Sequence, residues 1–277
     1  MPNTMLAFLD DFERYHRMIS DMFSEVNPSV RPELFFPAGQ AQLLPPVPVP
    51  RSLRIYFGSR EYLGSVFRRY NPSARAEDSL APPVGYYGNH QSIQPPGAQV
   101  VLPESTTQLD YELHLAAVIG RKGKDIPVED AQRYLAGFTL LNHWVARDRE
   151  PEAFRYSLFP LKSHDFVTTL GPYLVSTDEL RPAFQGNRYH LRMTATVNSE
   201  LLSEGNSSEY SFSFAELVAH ASRGCTVYPG EVISIGCLPT GSLLGLERDT
   251  WLQPGDEVVL EVEKLGNIRN GVTAASP

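Results

Sequence analysis

The stretch Asp110-Tyr-Glu112-Leu-His114-Leu115-Ala-Ala-Val-Ile-Gly120 sets a carboxylate and an imidazole at the head of an apolar run that ends on glycine. Such a run reads as a β-strand. Glu112 and His114 are two residues apart, so both side chains would point to one face, about 6.6 Å apart along the strand. One ion could bridge them. A second apolar run, Phe138-Thr-Leu-Leu-Asn-His143-Trp-Val145, carries another imidazole, which a neighbouring strand would bring to the same place.

Composition bounds the partners. The chain has 277 residues, 42% of them hydrophobic, enough for one large core with a small N-terminal piece. A net charge of −8 and the lack of any long Lys or Arg run argue against nucleic acid as a partner, so the expected ligand is a small molecule. Cys225 and Cys237 are the two cysteines, too few for a disulfide scaffold, which fits a reducing, cytoplasmic setting. The N-terminal stretch carries Asp10, Asp11, Glu13 and Asp21, unlike a signal peptide, and no apolar run has the length of a membrane span. The Gly-rich tracts lack the spacing of a phosphate cradle, so no nucleotide cofactor is expected.

Met5, Leu6, Leu9, Phe12, Met18, Ile19 and Met22 follow helical spacing behind a possible Thr4 cap, predicting an amphipathic helix packed on the body or on a partner. Leu44-Pro-Pro-Val-Pro-Val-Pro50 is extended by its prolines and marks the boundary between residues 1–50 and a main domain over 51–277. Strands are predicted over 53–57, 112–119, 138–145, 191–197, 231–237 and 257–262, with helices over 127–135 and after the capping box Ser213-Phe-Ala-Glu216. The pattern is α+β, β-rich.

Several segments, in order, resemble the fumarylacetoacetate hydrolase family over roughly residues 51–275. They are Pro83-Val-Gly-Tyr86-Tyr-Gly-Asn-His90, the Asp110 and Asn142-His143-Trp-Val-Ala-Arg147-Asp148 motifs, Lys162-Ser-His164-Asp165 with Leu170-Gly-Pro, Asn206-Ser-Ser-Glu, Pro229-Gly-Glu231, Gln253-Pro-Gly-Asp256 and Leu265-Gly-Asn. The resemblance implies a mixed β-sandwich roll, usually dimeric. It also implies chemistry on 1,3-dicarbonyl compounds or 2-oxo acids: carbon–carbon cleavage, decarboxylation or tautomerisation.

The family holds a divalent ion with Glu-x-Glu on one strand and an Asp on the next. Here Glu112 is kept, His114 replaces the second Glu, His143 replaces the Asp, and Ile55 stands for an upstream Asp. A set of one carboxylate and two imidazoles suits Fe, Mn, Co or Zn better than Mg. With seven histidines in the whole chain, two at the two altered positions favour a retained metal. The alternatives are a decayed, metal-free centre or a histidine proton relay.

By the same resemblance Arg147, Lys162 and Tyr86 are the substrate-gripping residues, with Arg147 about 13 Å beyond His143 if the strand continues. The family's water-activating His–Glu dyad is missing. Tyr62 stands at the His position (Gly64 under a shifted alignment), Gly245 at the Glu position, and neutral tyrosine is a poor base. His164 or Tyr62 is expected to move protons, with Lys162 as a further catalytic residue; His90 and Glu150 are other candidate bases, and Glu150 is also a substrate-binding candidate. Cys237 reads as a buried structural thiol. The resemblance, with these residues, implies a metal-dependent, homodimeric enzyme acting on an enolisable substrate, by bond cleavage or by rearrangement, in a specialised pathway. The alternative is a catalytically silent relative that binds a small acidic ligand or a partner protein.

Overall fold

The computed structural model describes residues 1–26, 29, 31–70, 83–156 and 160–275. Its principal strands, in chain order, are β1 (Leu53–Tyr56), β2 (Gly85–Gly88), β3 (Ile93–Gln94), β4 (Val100–Val101), β5 (Leu113–Ile119), β6 (Leu135–His143), β7 (Thr168–Ser176), β8 (Arg192–Val197), β9 (Glu200–Asn206), β10 (Val232–Cys237), β11 (Glu257–Val262) and β12 (Gly266–Thr273). The α-helices are α1 (Met5–Leu9), α2 (Phe12–Glu25), α3 (Arg60–Tyr70), α4 (Glu150–Arg155) and α5 (Phe214–Ser222). Seven strands form a mixed sheet in the order β2-β1-β10-β5-β6-β7-β3, and five form a second in the order β9-β8-β11-β12-β4. The β-rich α+β class expected from the punctuation is the one observed.

Every residue of β5 and β6 is buried, which is why these two strands read as nearly continuous apolar runs. Each leucine sealed there contributes about 1.5–3 kcal/mol relative to exposure. β5 pairs antiparallel with β6 on one side and with β10 on the other, so His114 lies opposite Leu141 and opposite Cys237. The β5–β10 register shifts between Ser234 and Cys237. Gly236 has φ +89° there, and a Cβ on it would stand 2.1 Å from the Tyr56 carbonyl oxygen, so only glycine serves.

The N-terminal helix is interrupted at Asp10-Asp11, giving α1 and α2, and Thr4 does cap α1, accepting from the Ala7 N–H at 3.2 Å. Leu9 and Val47 are buried in one cluster with Leu53, Ile55, Ala116 and Leu141, so this segment rests on the large sheet. Residues 128–134 are 3₁₀ rather than α-helical, and the Ser213–Glu216 capping box forms as expected. The second apolar run forms a strand that starts earlier than expected, at Leu135, and stops at His143. Among the described residues no helix is long and apolar enough to cross a membrane.

Candidate active site

The end of β6 and the start of β5 meet at one point. The His143 N–H donates to the Glu112 carbonyl at 3.1 Å, extending the ladder one step past β5 and setting Glu112 beside His143. Glu112, His114 and His143 therefore come together as the sequence predicts, all buried. Each is committed to a hydrogen bond. Glu112 Oε2 lies 3.0 Å from His114 Nε2, and His114 Nδ1 lies 2.9 Å from Ser234 Oγ. His143 Nδ1 bonds Thr168 Oγ1 and its Nε2 bonds the Tyr86 hydroxyl, both at 3.0 Å.

Arg147 does not continue the strand to the far end of a substrate. Beyond His143 the chain stays extended through Val145–Ala146, which pair with Leu109–Asp110, and Arg147 then opens a 3₁₀ turn that runs into α4. Its guanidinium folds inward, 1% exposed. Nε donates to Asp110 Oδ2 at 2.9 Å, Nη1 to Glu150 Oε1 at 3.1 Å, and Nη2 to Glu112 Oε1 at 2.9 Å and the Tyr62 hydroxyl at 3.0 Å. With its donors committed inside the protein, Arg147 is a structural cation, a correction to its expected role as a substrate grip. Asp110 also accepts from the backbone N–H groups of Tyr111, Leu243 and Leu244 at 2.8, 2.9 and 3.1 Å.

Tyr62 points inward from α3, a helix that the sequence reading missed, and donates to Glu112 Oε1. Burial pushes its hydroxyl well above the usual 10, so it stays protonated and is no base. At Gly245 a Cβ would stand 2.2 Å from the Pro239 carbonyl oxygen, so the family's glutamate has no room there. Lys162 is exposed and ion-paired with Asp165, outside the buried cluster of Glu112, His114 and His143. His90 bonds its neighbour Gln91. Cys237 is a buried free thiol whose pKa burial drives up, as expected of a packing residue.

His164, by contrast, joins the cluster. Its ring lies 5.1 Å from that of His143 and 5.9 Å from that of Tyr86, and its Nε2 stands 3.6 Å from Glu150 Oε1. A cavity of about 290 Å³ is lined by Tyr86, Asn89, Pro160, His164 and Asp165 and reaches the buried cluster through Tyr86 and His164. Burial lowers the pKa of His143 to about 3 and that of His164 well below the histidine norm, so both imidazoles are neutral at pH 7. Burial raises Glu150 to about 7, against the pull of Arg147.

The metal expectation meets a different arrangement. Glu112 Oε1 is engaged by Arg147 and Tyr62 and Oε2 by His114, while both nitrogens of His143 hold hydroxyl partners. Among the described residues no three His, Cys, Asp or Glu side chains converge as an ion requires. These residues do not fit a divalent ion as they stand.

Asp110, Ser234 and Thr168 escaped the sequence reading as site residues. Asp110 had a usable signal: it stands two positions before Glu112 in the same motif. Ser234 and Thr168 lie on β10 and β7, and only the sheet order brings them near.

A profile of the fumarylacetoacetate hydrolase C-terminal domain matches residues 56–273. A human mitochondrial oxaloacetate tautomerase is 36% identical over 181 residues, covering 65% of this chain and 56% of that protein, so the chain matches little more than half of that relative's length. A probable 2-hydroxyhepta-2,4-diene-1,7-dioate isomerase from Mycobacterium abscessus superposes with TM-score 0.69 at 25% identity, covering 98% of this chain and 91% of that one. The fold is shared too with a maleylpyruvate hydrolase from Sphingobium sp. SYK-6, solved with manganese(II) and pyruvate: TM-score 0.73, 21% identity, 98% and 86% of the two chains. A divalent ion thus accompanies the fold in that neighbour, and these similar proteins are named as a tautomerase, an isomerase and a hydrolase. From the extent of the profile match and the order of its motifs, this chain is a member of the fumarylacetoacetate hydrolase family.

Proposed function

We propose that the protein is an isomerase that moves a proton beside a carbonyl, tautomerising an enolisable 2-oxo acid or 1,3-dicarbonyl compound, and that it is not a hydrolase. The observation that carries this reading is the row of proton-handling groups behind the 290 Å³ cavity: Tyr86 and His164 at the cavity, His143 and Glu150 directly behind them. Tautomerisation needs one group to take a proton from carbon and another to supply one to oxygen, with no water to activate. The water-activating dyad is gone, its histidine position filled by a locked tyrosine and its glutamate position closed to any side chain.

The roles follow from the hydrogen bonds. Ser163 gives its one proton to the Pro160 carbonyl, so His164 Nδ1 donates to Ser163 Oγ at 2.7 Å, leaving a lone pair on Nε2. That nitrogen faces Glu150, raised to about 7, so near neutrality a proton on the pair rests on the carboxyl and His164 stays neutral. A 3.6 Å separation is looser than a hydrogen bond and is of the kind that tightens around a substrate. Tyr86 keeps its proton, because burial drives its pKa well up, and so can donate to a carbonyl or enolate oxygen. The identity with an oxaloacetate tautomerase supports the same class of reaction.

The test is ketonisation of a panel of enols of C4–C7 2-oxo diacids, followed by loss of enol absorbance. Acceleration of one or more without bond cleavage supports the assignment. Release of two carbon fragments would make the protein a hydrolase, and inertness toward the whole panel would favour the silent, ligand-binding alternative.

A further inference from the structure

The one feature of the centre that tautomerisation leaves unexplained is the guanidinium at its heart. Arg147 touches Asp110, Glu112 and Glu150 at 2.8–3.1 Å, with all four side chains nearly sealed from solvent. Three buried carboxylates around one cation is an arrangement that proteins otherwise use for a bound ion, since buried charge persists only when paired. The charge is met from several sides. Asp110 accepts three backbone N–H bonds besides Arg147, and Glu112 accepts from Arg147 and Tyr62 at Oε1 and lies 3.0 Å from His114 Nε2 at Oε2.

We propose that Arg147 is the resident cation of this centre, in place of the divalent ion expected at Glu112, His114 and His143, and that the folded centre takes up no divalent ion. The claim is independent of which substrate is tautomerised. The commitments of the three altered ligand positions support it. Freeing Glu112 Oε1 for an ion means breaking its bonds to Arg147 and Tyr62, and freeing Glu112 Oε2 and His114 Nε2 means breaking the bond between them. The substitution of His114 and His143 for family acids fits the same account. A centre that already has an internal cation of one charge, not two, balances with fewer carboxylates, and neutral imidazoles keep the hydrogen bonds without adding negative charge.

The test uses the full chain purified without added metal. Its metal content is measured, then it is titrated with manganese(II) and with zinc(II), and its Tm is read with and without EDTA. A resident ion at a hundred times its Kd would raise Tm by roughly 5–10 °C. The expected result is less than a tenth of an equivalent of metal, no saturable 1:1 binding and a Tm unmoved by EDTA. Near-stoichiometric metal, abolished in the His114→Ala, His143→Ala double variant, would overturn the proposal. In the second arm, Arg147→Met removes the cation and should gain a manganese-dependent rise in Tm that wild type lacks. A folded Arg147→Met protein indifferent to manganese would contradict the electrostatic equivalence. If that variant does not fold, Arg147→Lys, which keeps the charge, should fold and remain indifferent to manganese, and a manganese response in it would count against the proposal.

Discussion

Arg147 Nη2 lies 2.9 Å from Glu112 Oε1, with both side chains withdrawn from solvent. Removing one partner leaves the other buried and uncompensated, which costs about 3–5 kcal/mol. Arg147→Met should therefore lower unfolding stability by that order in urea titrations. A loss under about 1 kcal/mol would mean that the acid cluster is solvated in solution.

Two buried groups set opposing pH dependences. Glu150 has its folded pKa raised to about 7 from 4.5, so the stability it contributes is full below pH 4.5 and is lost as pH rises through 7. His143 has its folded pKa lowered to about 3 from 6.5, so its contribution is full above pH 6.5 and is lost as pH falls through 3. Between pH 4.5 and 6.5 the two slopes oppose each other. Between themselves these two groups nearly cancel there, and His164, whose pKa burial also lowers, adds a rise of stability with pH below 6.5. Glu150→Gln should steepen the rise of stability between pH 4.5 and 6.5 by about 3 kcal/mol and remove a fall of under about 1 kcal/mol above pH 6.5, measured by denaturation at each pH. An unchanged profile would show that Glu150 titrates normally.

The Lys162–Asp165 pair is exposed at its lysine end. Lys162→Ala should leave stability within about 0.5 kcal/mol and alter kcat/KM by about fivefold or less. A hundredfold loss in kcat/KM would mean that the lysine swings onto the substrate and would restore the role that the family resemblance assigns it.

Tyr62 donates to Glu112 and accepts from Arg147, so Tyr62→Phe should cost about 1–3 kcal/mol through the unpaired polar groups it leaves. Because its hydroxyl is not a base, the pH profile of activity should keep its shape. Loss of one limb of that profile with stability intact would instead make Tyr62 a proton carrier.

The sequence made the centre legible where chemistry broke the pattern. Glu112, His114 and His143 stand out because charged or titratable residues inside apolar runs need partners, and the fold puts all three together. What composition and spacing could not supply was direction. Arg147 was placed by assuming an extended strand, but a 3₁₀ turn opens at Arg147, and Asp110, which accepts from its guanidinium, was read as part of the motif and not as a partner. α3 was missed although Tyr62, Leu63, Val66, Phe67 and Tyr70 follow helical spacing, because that segment was read only for its match to the family's dyad. β7 was lost because Gly171-Pro172 interrupts it, and the register with β6 shifts there.

The most direct test of the central claim is deuterium incorporation from heavy water at the carbon beside the carbonyl of a 2-oxo diacid such as oxaloacetate, read by NMR. Wild type is compared with His164→Asn and with His143→Asn. The account predicts exchange well above the uncatalysed rate in wild type and about 10²–10⁴-fold slower exchange in His164→Asn, with Tm little changed. His143→Asn should show a smaller loss, since His143 acts through Tyr86. Exchange in wild type no faster than in buffer, across the same diacids, would contradict proton transfer as the work of this buried cluster.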